Sequence, residues 1–125
     1  MPSFIRFSLV SMMQSSNAIR PRRSLLFVPG LRPEMFAKAL NSGADIVCVD
    51  MEDAVARNRK DEGRSLTLPL FKTRTHPHVE QMVRINGLST PDGLKDLTAI
   101  IESPAPPPAI MMAAPPSSRG PTAAI

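Results

Sequence analysis

The sequence predicts an α/β protein with a parallel sheet of about three to four βα units. Three observations lead there. Short apolar runs at Ser24 to Val28, Ile46 to Val49 and Gln81 to Ile85 alternate with helical patterns, and that alternation implies βαβ units. The first two runs are almost continuously apolar, as strands covered on both faces are. Polar residues collect where the runs end: Arg32, Asp50, Glu52, Asp53 and Arg84.

The first strand is expected near 24–28, stopped by the turn signal Pro29-Gly30. Pro33 suits the first position of a helix over 33–42, with Met35, Phe36, Ala39 and Leu40 on one face. Gly43 is placed to close that helix as a left-handed cap. The second strand follows at 46–50. Residues 57–71 read as a second helix, weakened by Gly63 and kinked or ended by Pro69. The third strand, near 81–85, closes on Asn86-Gly87. Ser89 or Thr90 can cap a third helix over 91–101, with Pro91 in its first turn and a buried stripe of Leu94, Leu97, Ile100 and Ile101. Ala109 to Met112 reads as the start of a fourth unit.

Composition removes several function classes. Five Phe with neither Trp nor Tyr leave an aliphatic core. The net charge of +4 is local: five Arg and no acid precede Glu34, and the other 10 basic residues face all 11 acidic ones. No aromatic residues interleave with the basic ones to stack bases, so no nucleic-acid partner is expected. There is no apolar run of roughly 18 residues, so no membrane helix is expected. Neither Gly-x-Gly-x-x-Gly nor a Walker loop is present, which removes the phosphate cradle of the common nucleotide folds. Cys48 is the only cysteine and lies inside a strand, where a thiol packs rather than reacts. A lone thiol fits a reducing, cytoplasmic setting. The acid-free, Ser- and Arg-bearing start leaves a mitochondrial transit peptide as the alternative.

Three stretches are expected: a disordered extension over residues 1–21, a folded part over 22–112, and a disordered tail over 113–125 that is rich in proline and lacks periodicity.

Asp50 and Glu52 lie two apart past the second strand and can point the same way. Such a pair can hold Mg²⁺, orient an arginine, or simply cap a helix and pair with Arg57 and Lys60. Arg84 can grip a carboxylate through two parallel hydrogen bonds, bridge to Asp50 or Glu52, or do both. Arg32 and Lys38 can meet an anionic cofactor or be solvated. His76 and His78 flank Pro77 in a polar loop and lack the further ligands of a metal site.

Several long motifs stand in one order: Arg23-Ser-Leu-Leu-Phe-Val-Pro-Gly30 with Arg32-Pro33, then Asp50-Met-Glu-Asp-Ala-Val55, then Arg84-Ile-Asn-Gly-Leu88. Together they resemble the HpcH/HpaI aldolase and citrate lyase family, which includes citrate lyase β-subunits and malyl-CoA lyases. The resemblance implies a (β/α)8 TIM barrel, of which this chain would form the N-terminal part, since such a barrel needs roughly 200 residues or more. It implies a Mg²⁺-dependent carbon–carbon lyase acting on 3-hydroxyacyl-CoA thioesters such as malyl-CoA or citryl-CoA, in a homo-oligomer. The alternatives are an aldolase for a free 2-oxo acid, or a non-catalytic remnant that binds acyl-CoA or a paralogous subunit.

Carried over by position, Phe27, Arg32 and Lys38 resemble the family's CoA-thioester contacts. Arg84 resembles its carboxylate-binding arginine, and Asp50 and Glu52 its acidic pair beside the metal. The family's direct metal ligands and general base have no counterpart in these motifs. After Met112, where the family continues Pro-Lys-Val, the sequence reads Ala-Ala-Pro-Pro-Ser-Ser, as a truncated or frameshifted gene would.

Overall fold

A computed structural model of the chain describes residues 19–113. The expectations for the extension and the tail fall almost wholly outside them. Four strands, β1 (Leu25–Pro29), β2 (Ile46–Asp50), β3 (Glu80–Ile85) and β4 (Ile110–Met112), alternate with three helices, α1 (Met35–Leu40), α2 (Lys60–Thr67) and α3 (Pro91–Glu102). Short 3₁₀ turns, Arg57–Arg59 and Leu68–Lys72, flank α2. The sheet order is β1-β2-β3-β4, and each neighbouring pair is parallel.

The register decides which face does what. Val28, Val49 and Val83 lie in one row, and side chains two residues apart share a face. That face meets Phe36, Ala39 and Leu40 of α1, Phe71 after α2, and Ile100 of α3 in one apolar core. Phe36 and Phe71 meet edge to face, with ring centroids 5.6 Å apart. Every helix therefore packs on the same side of a sequentially ordered parallel sheet. A doubly wound sheet would place helices on both sides; helices on one side only are the arrangement of a barrel wall. The chain forms an arc of such a barrel, with Phe27, Cys48, Asp50, Met82 and Arg84 on the face away from the helices.

Three details differ from the sequence reading. First, α1 starts at Met35 rather than at 33, because two successive turns come before it, with Arg32 N donating to Pro29 O and Met35 N to Arg32 O. Second, the helix expected over 57–71 is split into three pieces. Pro69 lies in the second 3₁₀ turn; it has no N–H to continue the α ladder. Gly63 sits inside α2, where an added Cβ would come 3.2 Å from a methyl of Val55. Third, α3 is rotated from the expected phase. It buries Gly93, Asp96 and Ile100, while Leu94 is 58% and Ile101 73% exposed. His76, in the loop before β3, takes a left-handed backbone with φ 57°. Gly43 has the expected left-handed backbone, φ 89°, but it stands two residues beyond Asn41, which caps α1.

Candidate functional site

Parallel register brings Pro29, Asp50, Arg84 and Met111 into one row at the C-terminal end of the sheet. Phe27, Cys48 and Met82 form the row beneath. Arg84 donates from Nε to Asp50 Oδ1 at 2.9 Å and from Nη2 to Asp50 Oδ2 at 2.6 Å. Its guanidinium carbon lies 4.6 Å from the centre of the Phe27 ring, within range of a cation–π contact.

Asp50 is 3% exposed. Its two oxygens also accept from the backbone N–H groups of Glu52 at 2.9 Å and Ala54 at 3.1 Å. Burial pushes the Asp50 carboxyl up, but the Arg84 fork and these two amides outweigh it and hold the group below the usual range. Burial pushes the neighbouring Cys48 thiol up to about 12, so Cys48 is a neutral packing group.

A guanidinium has five N–H donors arranged around a planar fork. Asp50 occupies one side of that fork, Nε and one hydrogen of Nη2. The end formed by Nη1 and the second hydrogen of Nη2 makes no bond to Asp50. An anchored, ionised arginine with one free end can bind a second carboxylate bidentately. Asp50 therefore holds Arg84 in place without using up its chemistry.

The other residues singled out in the sequence are placed differently. Glu52 is half-buried beside this pair, and its charge adds to the forces that raise the Arg84 pKa after the dominant Asp50 hydrogen bond. Asp53 is exposed. Lys60 donates to the backbone carbonyls of Met51 and Glu52 rather than to a carboxylate. Arg32 pairs with Glu34 at 2.5 Å on the loop after β1. Lys38 is exposed on α1. The contacts of Arg32 and Lys38 do not join them to the Asp50–Arg84 pair. His76 bonds to Asn41 Oδ1 and Thr75 Oγ1, each at 2.8 Å.

A second polar group supports the site, and the sequence reading passed over it. Asp96 of α3 is fully buried. It accepts from Arg64 Nη1 at 2.6 Å, from Asn86 N at 2.9 Å and from Asn86 Nδ2 at 2.6 Å. Asn86 Nδ2 also donates to Met51 O at 3.1 Å, while Met51 N donates to Arg84 O at 2.9 Å. The network ties α2, α3 and the chain just past β2 and β3 into one unit behind Arg84. In the sequence Asp96 gave no signal of its own, because the helix also carries Asp92 and Lys95 and an acid there ordinarily faces water.

No group of three or more metal-ligating side chains occurs among the described residues. Asp50 has both oxygens engaged, and Glu52 alone supplies too few ligands for Mg²⁺. These residues do not by themselves fit a magnesium site. A surface cavity of about 640 Å³ opens at the opposite end of the sheet, beside Arg22, Arg74 and Gln81. Arg20 also lines it, while Arg22 is engaged by Glu80 at 2.7 Å and Arg74 by Pro106 O at 2.8 Å.

The profile of the HpcH/HpaI aldolase/citrate lyase family matches residues 23–106. The chain belongs to this family. It is 40% identical over 87 residues to the citrate lyase subunit beta of Leuconostoc mesenteroides, covering 70% of this chain and 29% of that protein. It is 40% identical over 83 residues to an L-malyl-CoA/beta-methylmalyl-CoA lyase of Cereibacter sphaeroides, covering 66% of this chain and 26% of that enzyme. Among solved structures, it resembles the CitE protein of Mycobacterium tuberculosis in complex with magnesium, acetoacetate and coenzyme A. The TM-score is 0.58 at 33% identity, over 74% of this chain and 33% of that one. The chain thus spans about a third or less of the length of its family relatives. Among the described residues, no helix is long and apolar enough to cross a membrane.

Proposed function

We propose that this chain supplies the carboxylate-gripping wall of a carbon–carbon lyase that cleaves or forms a 3-hydroxyacyl-CoA thioester. The observation that carries this reading is the Asp50–Arg84 pair. A buried carboxylate fixes the arginine on one side and leaves its other end free at the C-terminal rim of a family-typical sheet. Cleavage of a 3-hydroxyacyl-CoA thioester that carries a carboxylate on its hydroxyl-bearing carbon gives an acyl-CoA such as acetyl-CoA and a 2-oxo acid, and the carboxylate of that acid suits a fixed, planar, permanently charged fork. Phe27, under the guanidinium, and Arg32 and Lys38, nearer the solvent, are the proposed contacts for the CoA thioester. Glu52 and Asp50 are the proposed acidic support beside the metal.

The relatives of known structure include one with magnesium and oxaloacetate. Magnesium, when bound in such an enzyme, supplies an electrophile for the 2-oxygen. Its ligands are proposed to lie in the further βα units that longer relatives have. The described residues contain no such cluster, which favours a second reading for the isolated chain: a non-catalytic module that binds the acyl-CoA or a paralogous subunit.

The test is a chimera in which residues 23–106 replace the matching segment of a full-length relative. CoA or acetyl-CoA release from malyl-CoA and citryl-CoA is then followed with and without Mg²⁺. Metal-dependent turnover that is lost in Arg84→Lys supports the lyase reading. A folded chimera that binds the thioester but never turns it over favours the non-catalytic reading.

A further inference from the structure

We infer, resting on the carboxylate grip proposed for Arg84, that Asn86 is a positioning residue for that arginine and acts through the planar peptide joining Met51 to Glu52. From Asp50 O to Glu52 N, every polar backbone group just past β2 is engaged. Asp50 O accepts from Gly30 N at 2.9 Å, and Met51 N donates to Arg84 O at 2.9 Å. Met51 O accepts from Asn86 Nδ2 at 3.1 Å and from Lys60 Nζ at 3.2 Å. Glu52 N donates to Asp50 Oδ1 at 2.9 Å.

Met51 O and Glu52 N belong to one peptide unit, and the atoms of such a unit stay close to a plane. In the trans form its C=O and N–H point in opposite directions, so a tilt at one end is a tilt at the other. Asn86 grips the carbonyl end. The amide end reaches Asp50 Oδ1, the same oxygen that accepts from Arg84 Nε at 2.9 Å. One line of hydrogen bonds therefore runs from Asn86 Nδ2, through the peptide and a single carboxylate oxygen, to the guanidinium. Each bond in such a line polarises the next.

The surroundings of Asn86 suit it to this task. The residue is buried. Its side-chain amide lies between Met51 O and Asp96 Oδ2, and a carbonyl and a carboxylate oxygen only accept, so the nitrogen must face them. Asp96 is fixed in turn by Arg64 Nη1 at 2.6 Å. Lys60, at the start of α2, is the second donor to the same Met51 carbonyl and also donates to Glu52 O. Asn86 makes no bond to the guanidinium itself; its effect on Arg84 passes through the peptide and Asp50.

The experiment is nuclear magnetic resonance on the isotope-labelled 125-residue chain, reading the Glu52 backbone N–H and the Arg84 Nε–H, with oxaloacetate added as the 2-oxo acid. Asn86→Leu keeps a similar side-chain shape and donates nothing. Folded by circular dichroism, it should move both signals upfield and speed the solvent exchange of both protons at least about tenfold, while the Val47 amide in the middle of β2 stays where it is. Affinity for oxaloacetate should fall about fivefold, the worth of one hydrogen bond. A folded Asn86→Leu with both signals unmoved overturns the proposal, as does one signal moving without the other. Shifts spread over the whole sheet, Val47 included, overturn it as well, because they mark a general loosening. Moved signals with an unchanged affinity do the same, since Arg84 would be displaced without consequence for its ligand. Should Asn86→Leu fail to fold, Lys60→Met decides: it removes the other donor to Met51 O and should move both signals in the same direction by less, and unmoved signals overturn the proposal equally. If the unmodified chain does not bind oxaloacetate, the carboxylate grip fails, while the two signals still decide the positioning.

Discussion

Asp50 concentrates four donated hydrogen bonds on one nearly buried carboxylate, so its ionisation is coupled to folding. Its pKa in the fold lies below the usual value. The stabilisation is therefore fully present above the unfolded-state pKa near 4 and is lost as pH falls through the lower folded value. Asp50→Asn should flatten the loss of stability below about pH 4. At neutral pH it should cost about 3 kcal/mol, the low end for a broken buried pair, since Arg84 retains some solvent. Urea unfolding of both proteins at neutral and acid pH checks both statements. Asp96→Ala should be comparably damaging, about 3 kcal/mol, because it leaves the buried Asn86 amide without its acceptor and removes one carboxylate from the buried Arg64, which keeps Asp61 and Asp92. Thermal unfolding measures it, and a loss of under about 1 kcal/mol would show that the network is replaceable. The two aspartates differ in legibility. Asp50 and Arg84 stood out because charge at the end of an apolar strand has few structural uses. Asp96 did not, because an acid in the middle of an amphipathic helix ordinarily faces water. Only the tertiary partners Arg64 and Asn86 turn it inward.

That inward turn also explains the phase of α3. Leu94, Leu97, Ile100 and Ile101 made a plausible stripe, yet the helix buries Gly93, Asp96 and Ile100 instead. The cause is the tight seat of its first turn. Thr90 Oγ1 accepts from Gly93 N at 3.1 Å and donates to Gly87 O at 2.6 Å. A Cβ on Gly93 would come 2.0 Å from Gly87 O. Gly93→Ala must therefore push α3 off the Asn86-Gly87 turn, with an expected loss of about 1–3 kcal/mol. Thr90→Ala removes only the cap and should cost about 1 kcal/mol. Chemical denaturation ranks the two, and a Gly93→Ala variant as stable as the parent would show that the turn yields easily. Strands were more legible than helices here. Apolar runs ended by Pro-Gly or Asn-Gly locate a strand within a residue or so, whereas a helix's start and rotation depend on what it is docked against.

At the scale of the whole molecule, the arc of barrel decides what Arg84 can do. Its free end opens onto a face that no described helix covers, where water weakens an ion pair severalfold relative to an enclosed site. No cluster of described side chains can hold Mg²⁺ without most of its water. The 125-residue chain alone is therefore expected to show no Mg²⁺-dependent cleavage of malyl-CoA or citryl-CoA, measured as acetyl-CoA or CoA release from purified protein. Weak binding of a 2-oxo acid without turnover is thus the expected behaviour of the chain, and Arg84→Lys should abolish even that binding, because a point charge cannot form the two-pronged contact. Clear metal-dependent turnover by the chain itself would mean that the metal is held by residues other than Asp50 and Glu52, and that Arg84 is not the centre of the site.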